Sequence, residues 1–183
     1  MSDKYKTTTI GNICKINKST YSSSENWKFI NYLDTGSLTE DKVDGYQYIE
    51  IGKDKLPSRA RRKVEHNNIL YSTVRPNQLH YGIVKNIVPN MLVSTGFAVI
   101  SVNNEQADSD FIYYFLTQDS ITETLHAIGE QSTSAYPSIK PRDIEKLELK
   151  LPSLDKQKEI SRTLRLLDDK IENNRKINHH LAA

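Results

Sequence analysis

A cluster of four cations within five residues, Arg59 to Lys63, is the feature of this sequence best suited to chemistry. Charges this close repel one another unless an anion or an acidic partner lies nearby. Residues 53–85 hold eight Lys and Arg and only two acids, whereas residues 101–135 hold six acids and no Lys or Arg. A surface that binds a polyanion is therefore compatible with the overall charge of +2. A solvated basic loop is the alternative.

Residues that could catalyse a reaction or hold a metal ion are sparse. None of the five histidines stands with carboxylates at a metal-ligand spacing, and the glycines form no phosphate-binding loop. Cys14 is the single cysteine, which excludes an intramolecular disulfide and a cysteine-based zinc site. Glu148 and Lys150 match the Glu-x-Lys end of a metal-dependent nuclease signature, but no acid stands at a suitable distance upstream. We expect no catalytic residue, metal or cofactor, and keep a nuclease as an alternative.

Length and composition favour one folded domain with an appended element. The chain has 183 residues, of which 37% are hydrophobic, and its mean hydropathy is −0.61. This is a polar but foldable profile. Residues 1–10 are polar, so we expect no signal peptide, and no run approaches the ~18 apolar residues of a membrane span. Together with the lone cysteine, these features predict a cytoplasmic protein without a membrane partner.

Strand signals precede helix signals along the chain. Runs rich in Ile, Val, Tyr and Thr, separated by Asn, Gly, Pro and Asp, predict strands at residues 9–14, 46–51, 68–74, 81–88 and 92–102. Capping residues, a closing glycine and a first-turn proline predict helices from Asp108 or Ser109 to Leu116, from Asp119 to Gly129 and from Pro141. Alternating leucines predict a strand at residues 147–151. The expected class is α+β, with a mixed or antiparallel sheet and short helices in a globular domain, residues 1–152.

A long helix with a heptad seam is predicted after that domain. Residues 155–181 contain no Gly and no Pro, and at 1.5 Å per residue they would form a rod of roughly 40 Å. The seam positions, spaced alternately four and three residues apart, are Ile160, Leu164, Leu167, Ile171, Asn174, Asn178 and Leu181. A rod of this length overhangs the domain, so its apolar seam needs a partner. We expect a coiled coil through residues 153–183, with the asparagines setting its register. A terminal helix lying on its own domain is the alternative.

Seven short fragments occur in the order in which one known family has them. They are IGNI (10–13), LYSTVRPN (70–77), STGFA (94–98), YPSIKPRDI (136–144), LKLP (149–152), DKQKEI (155–160) and DDKIENNRKINHHL (168–181). Together they resemble the specificity (S) subunit of type I restriction-modification systems over nearly the whole chain. The order of the fragments and the terminal helix make the combination more specific than any one of them.

The resemblance implies a non-catalytic subunit that reads DNA. In this family a target recognition domain contacts one half of a bipartite site. Conserved helices act as a spacer and dock methyltransferase (M) subunits, which modify adenine with S-adenosylmethionine, and a restriction (R) subunit can join to cleave DNA with ATP. The usual subunit has two recognition domains and two conserved helices, and one of each is found here. We therefore expect two copies to form a homodimer through this helix. The dimer is expected to read a palindromic bipartite target.

Several alternatives remain open beside this interpretation. The chain could be a half-length fragment, or a reservoir cassette for exchanging specificities. A stand-alone sequence-specific DNA endonuclease is one different class of function. A coiled-coil interaction protein that does not bind DNA is the other.

The resemblance also gives the basic segment a role. Lys and Arg contacts to phosphates supply most of the affinity for DNA, while Arg, Asn and Gln pair with base edges. The predicted phosphate contacts are Arg59, Arg61, Arg62, Lys63 and Lys85. One loop between two predicted strands carries Arg75, Asn77, Gln78 and His80. We expect Gln78 and His80 to read bases, and Arg75 to contact phosphate or support the fold. Residues 18–26 and 46–63 are further candidates for base contacts.

Overall fold

A computed structural model describes the backbone of residues 5–132 and 136–181, and the side chains of these residues as far as 178. The strands are β1 (Lys6–Thr9), β2 (Cys14–Ile16), β3 (Phe29–Leu33), β4 (Leu38–Thr39), β5 (Lys42–Val43), β6 (Gln47–Glu50), β7 (Ala60–Lys63), β8 (Ile69–Ser72), β9 (Tyr81–Ile83), β10 (Met91–Ser94), β11 (Phe97–Val102) and β12 (Glu148–Leu151). The helices are α1 (Ile10–Ile13), α2 (Ser109–Leu116), α3 (Asp119–Glu130), α4 (Pro141–Glu145) and α5 (Leu154–Leu181).

Two four-stranded sheets form the centre of the fold. The first has the strand order β6-β3-β10-β7 and is mixed, because β3 and β10 run parallel while the other pairs are antiparallel. The second has the order β2-β11-β8-β9 and is antiparallel throughout. β1 pairs with β12, and β4 and β5 form a hairpin. The predicted α+β class, with mixed and antiparallel pairing, is confirmed.

Successive residues of the central strands enter different hydrophobic cores. Leu92 of β10 packs with Ile30 on one face of the first sheet, while Val93 packs with Leu70 in a core that the two sheets share. A third core lies between the second sheet and α2, α3 and α4, where Ile112 is fully buried. A strand that is covered on both faces has a continuous apolar sequence, not an alternating one.

The predicted strand at residues 92–102 is wrong as a single element. β10 ends at Ser94 and β11 begins at Phe97, and the turn between them carries the chain from the first sheet to the second. Both strands are buried on both faces, so the hydrophobic pattern gave no sign of the break. The turn requires glycine at position 96, because a Cβ there would lie 2.8 Å from Cγ2 of Thr35.

Two further predictions are wrong in detail. Residues 9–14 do not form one strand, because Ile10–Ile13 make a single helical turn between β1 and β2. Ile10 and Ile13 are both buried, and their spacing of three residues fits such a turn. α3 does not stop at Gly129 but continues to Glu130, and Gly129 is buried. Glycine suits this position because the backbone N of Ser138 passes close by. A Cβ added at Gly129 would lie 3.3 Å from that nitrogen.

The remaining predicted elements are present. β6 and β8 confirm the strands at residues 46–51 and 68–74, β12 confirms the strand of alternating leucines, and β9 is shorter than residues 81–88. Asp108 caps α2 by accepting a hydrogen bond from the N–H of Phe111 (3.0 Å), and Pro141 occupies the first turn of α4. β3 and β7 were not predicted, and β7 carries the cationic cluster.

The long C-terminal helix is confirmed as α5, which spans 28 residues. Its first turns are attached to the domain, where Gln157 and Ser161 are buried. Beyond that attachment Leu167 is 55% exposed and Ile171 is 49% exposed. None of the helices in the described part of the chain is long and apolar enough to cross a membrane.

Candidate nucleic-acid interface

The cationic cluster lies on β7, which is held by backbone hydrogen bonds on both sides. β10 pairs with one side. On the other side, the N–H of Tyr21 donates to the carbonyl of Arg61 (2.8 Å), and the N–H of Lys63 donates to the carbonyl of Ser19 (3.2 Å). Ala60 is fully buried and anchors the start of the strand. The arginine side chains therefore extend from a rigid backbone.

Arg59 and Arg61 are the cations of this cluster with free charge. Both are exposed, and the described part of the chain offers neither an ion-pair partner. Arg62 is half-buried, and its Nε finds no hydrogen-bond partner among the described residues. Burial lowers the pKa of the Arg62 guanidinium, although an arginine stays charged at neutral pH. An anion approaching β7 would meet the open guanidinium groups of Arg59 and Arg61, whereas the Nε of Arg62 is buried away from the surface.

Lys63, in contrast, already has an acidic partner. Its Nζ lies 2.6 Å from Oε2 of Glu25 and 5.5 Å from the centre of the Trp27 ring. The hydrogen bond from Lys63 lowers the pKa of Glu25. Trp27 in turn packs against Tyr21, with ring centres 4.8 Å apart. One of the four clustered cations is thus neutralised within the domain, which reduces the repulsion along β7.

The loop between β8 and β9 presents the predicted base-reading side chains. Its centre is a 3-10 turn, Pro76–Gln78, flanked by Arg75 at φ 48° and Leu79 at φ 57°. Residues other than glycine rarely adopt this left-handed conformation, so the surrounding contacts must hold it. Asn77 and Gln78 are exposed on the turn.

Arg75 is held at the base of this loop by the segment that precedes α4. Its N–H donates to the carbonyl of Pro137 (2.8 Å), and its guanidinium carbon lies 4.3 Å from the centre of the Tyr136 ring. Val74 and Ser138 form a backbone bridge beside this contact. The cation–π contact fixes the direction of the Arg75 side chain, and the charge stays available to an anion.

A single turn brings β7 and the β8–β9 loop together. The N–H of Thr95 donates to the carbonyl of Arg59 (2.9 Å), just before β7 begins. On the other side of the turn, the carbonyl of Gly96 accepts hydrogen bonds from the N–H (2.8 Å) and the Oγ1 (2.9 Å) of Thr73, just after β8 ends. One turn therefore joins the start of the strand that carries the exposed arginines to the end of the strand that leads into the loop with the exposed amide side chains.

His80 and Lys85 make contacts within the domain. Nδ1 of His80 lies 2.7 Å from the carbonyl of Leu38, to which it can donate. Lys85 follows β9 at the opposite end of the β8–β9 hairpin from the loop. Its Nζ donates to Oδ2 of Asp110 and to Oδ1 of Asn67, both at 2.8 Å. The structure therefore does not bring Lys85 to the β8–β9 loop.

Two aromatic residues that the sequence did not single out individually are exposed on this domain. Tyr136 is 56% exposed where it stacks with Arg75, and its place in the YPSIKPRDI fragment was a signal for it. Tyr48, on the edge strand β6, is 60% exposed and stacks with Phe29, with ring centres 5.5 Å apart. Tyr48 lies within the candidate segment 46–63, but its exposure depends on β6 lying at the edge of the first sheet, which no local pattern shows.

The predicted seam of α5 lies beside the face that packs on the domain. Ile160 and Leu164 are half-buried, whereas Leu167 and Ile171 are exposed. Asn174 and Asn178 continue the exposed part of the seam, and the side chain of Leu181 lies outside the described residues. At 3.6 residues per turn the seam is rotated by about a quarter turn from the buried face of Gln157 and Ser161. The helix can therefore pack on its own domain and still present the seam.

A metal-dependent nuclease would need a cluster of metal-binding side chains. Among them, no group of three or more His, Cys, Asp or Glu side chains could hold a metal ion. Glu148 and Lys150 are both exposed on β12, and they lie opposite Thr9 and Thr7 of β1. Threonines thus stand where a second acid would have to lie on the neighbouring strand.

Comparison with known proteins identifies the family. The family described as "Type I restriction modification DNA specificity domain" matches residues 2–183. The chain belongs to this family. The type I restriction enzyme HindI specificity subunit of Haemophilus influenzae is 32% identical to this specificity domain over 151 residues, which are 82% of this chain and 32% of that subunit. The MjaIX specificity subunit of Methanocaldococcus jannaschii is 25% identical over 150 residues, covering 79% of this chain and 33% of the relative.

The specificity domain therefore spans about a third of the length of these two curated relatives. Solved structures have the same fold. The HsdS subunit from Thermoanaerobacter tengcongensis superposes with a TM-score of 0.78 at 22% identity, over 94% of this chain and 44% of that one. A second structure comes from work on complex assembly and conformational transition of the type I restriction-modification system. It superposes with a TM-score of 0.77 at 23% sequence identity, over 97% of this chain and 45% of that one.

Proposed function

We propose that this specificity domain binds double-stranded DNA and reads one half of a bipartite target for a type I restriction-modification complex. The observation that carries the proposal is the junction at Thr95 and Gly96, whose hydrogen bonds join the strand with the exposed arginines to the strand that leads into the exposed amide side chains of the β8–β9 loop. Phosphate contacts orient a protein on the duplex while base contacts give the sequence preference. A DNA reader needs both kinds of side chain on one surface.

Within this proposal, the residues of the junction divide into two roles. Arg59 and Arg61 neutralise phosphates, and Arg62 adds its positive charge from a half-buried position. Asn77 and Gln78 have the amide groups that pair with an adenine edge in the major groove. Both stand on a turn whose backbone is fixed at each end by a left-handed residue.

The other residues predicted to contact DNA already have partners within the domain. Lys63 and Lys85 would each have to share their charge between a phosphate and an acid that they already contact. His80 is bound to the β4–β5 hairpin through Nδ1, so only its Nε2 is available for a base. Arg75 is aligned by Tyr136 and suits a phosphate contact beside the loop.

The proposal includes pairing of two copies through α5. In the seam, Leu167 is 55% exposed and Ile171 is 49% exposed. Both side chains lose contact with water when a second helix covers them, which stabilises the pair. Asn174 and Asn178 then pair across the seam and fix the register. Two copies related by a two-fold axis would read a palindromic target with a central spacer.

In this arrangement the specificity domain has no catalytic role of its own. M subunits dock on it and methylate adenine, and an R subunit can join the complex, which we place in the cytoplasm. The fold shared with a protein studied for assembly of such a complex supports the docking role.

Selection of binding sites from random duplex DNA with the purified chain tests the proposal. We expect enrichment of two inverted copies of one short motif at a fixed separation, with an affinity that falls steeply as salt rises. Binding that is absent or insensitive to salt would favour the coiled-coil interaction protein. Metal-dependent cleavage of the DNA by the chain alone would favour the endonuclease.

A further inference from the structure

Arg165 joins α5 to two distant parts of the domain. Its Nε and Nη2 donate to Oδ1 of Asp110 on α2, at 2.9 and 2.6 Å, and its Nη1 lies 3.4 Å from Oδ2 of Asp41 in the β4–β5 hairpin. The guanidinium carbon also lies 5.6 Å from the ring centre of Tyr113 and 5.9 Å from that of Tyr114. A planar, five-donor side chain is needed to make these contacts together.

The two carboxylates that receive Arg165 are themselves fixed. Oδ2 of Asp110 accepts a hydrogen bond from Lys85, and Oδ1 of Asp41 accepts one from the N–H of Ile83 (2.7 Å). Burial alone would raise the pKa of Asp110, but the hydrogen bonds from Lys85 and Arg165 outweigh it and lower that pKa. Two cations and two carboxylates thus form one half-buried network. An arginine held this way cannot swing without breaking contacts on both sides.

Arg165 lies between two other polar attachments of α5. Before it, Oε1 of Gln157 accepts a hydrogen bond from the N–H of Asp108 (2.9 Å). After it, the hydroxyl of Tyr114 donates to Oδ2 of Asp168 (2.6 Å). Arg165 connects the helix to the β4–β5 hairpin as well as to α2. The contact to the hairpin restrains the helix from a second direction, whereas Gln157 and Asp168 hold it only to α2 and to the segment just before α2.

The free part of α5 converts a small rotation into a large displacement. From Asp168 to Leu181 the helix extends for about 20 Å at 1.5 Å per residue. A tilt of about 10° at its root moves the far end by roughly 3.5 Å, close to the rise of one base pair. We infer that Arg165 is a positioning residue, which fixes the angle between α5 and the domain and so sets the number of base pairs between the two half-sites. This inference rests on the proposed function.

The test compares spacer preference in Arg165→Lys with that of the unchanged chain. Lysine keeps the charge but loses the planar fork, so α5 stays paired to Asp110 while the contact to Asp41 is lost. The test uses a set of DNA duplexes that contain the two selected half-motifs. The half-motifs are separated by the preferred spacer, or by a spacer one base pair longer or shorter. We expect the preference for the selected spacer to fall by about fivefold in Arg165→Lys. The preference for the bases within each half-motif is expected to stay unchanged.

Arg162→Lys is the matched control, because Arg162 is exposed on the same helix one turn earlier. It is expected to keep the full spacer preference. An unchanged preference in folded Arg165→Lys would overturn the inference and leave the proposed function intact. If the unchanged chain itself shows no spacer preference, both the inference and the bipartite reading fail.

A distance measurement tests the same inference without DNA. Spin labels on Glu123→Cys in α3 and Lys176→Cys in α5 report the angle of the helix, and both positions are exposed. Diluting labelled chains with unlabelled ones isolates the distance within one chain. We expect one narrow distance distribution with Arg165 and a distribution at least twice as wide with Arg165→Lys. Equal widths would overturn the inference.

Discussion

The carbonyl of Arg59 accepts a hydrogen bond from the N–H of Thr95 at 2.9 Å. This bond joins the start of β7 to the turn between the two central sheets, and Gly96 of the same turn binds Thr73 at the end of β8. The position of the arginines relative to the β8–β9 loop is therefore set by one short turn. A substitution in that turn is expected to affect phosphate contacts and base contacts together.

The first prediction concerns the part of the DNA affinity that is independent of the base sequence. Arg61→Ala is expected to weaken binding to all duplexes alike and to reduce the slope of log affinity against log salt by about 1, since one phosphate contact is lost. Fluorescence anisotropy across a salt series measures both quantities. Arg142→Ala, an exposed arginine of α4, is the control and is expected to change neither. A loss confined to the selected motif would contradict a phosphate role.

The second prediction concerns base reading by the β8–β9 loop. Gln78→Ala removes an amide from the exposed turn, so discrimination at one base pair is expected to fall by about 1–3 kcal/mol while binding to unrelated DNA is kept. Competition between the selected motif and its single-base variants measures this change. Gln118→Ala, an exposed glutamine before α3, serves as the control. Equal weakening of all duplexes by Gln78→Ala would assign the residue to the DNA backbone instead.

The third prediction concerns pairing through α5. Leu167→Asp places a charge in the seam and is expected to convert the dimer to a monomer, which light scattering measures directly. Leu166→Asp is a close control, because Leu166 is 63% exposed beside Leu167 at 55% but lies outside the seam. It is expected to leave the dimer in place. A monomeric unchanged chain at micromolar concentration would contradict pairing.

The fourth prediction concerns the single cysteine. Burial raises the pKa of the Cys14 thiol to about 12, and only the thiolate reacts with disulfide reagents. At pH 8 the native chain is therefore expected to react about a thousandfold more slowly than a free thiol, and faster as the pH rises. Absorbance after addition of an aromatic disulfide measures the rate, and the chain in denaturing guanidinium chloride is the reference. Rapid native labelling would contradict the buried position and would complicate the spin-label experiment.

The sequence revealed elements whose pattern is local. The cap at Asp108, the proline of α4 and the alternating leucines of β12 each act within a few residues, so all three were predicted correctly. The run from Leu92 to Val102 was misread, because strands buried on both faces have no alternation to show where one ends.

The candidate site was predictable only in part, for a related reason. The cations of β7 are adjacent in the sequence and stand out by composition. Arg165, in contrast, meets partners 55 and 124 residues away, and no spacing rule connects it to Asp110 or Asp41. The pairing of Lys85 with Asp110 was equally invisible, although the basic and acidic segments that contain them were both noted.

Mapping of methylated adenines in the host genome, with and without this gene, tests the central claim most directly. If the domain reads half of a bipartite target as a symmetric dimer, one palindromic two-part motif is expected to lose its methylation when the gene is absent. The loss of an asymmetric motif would contradict the symmetric dimer and would mean pairing with a different recognition domain. An unchanged methylation pattern would contradict the role in specificity itself.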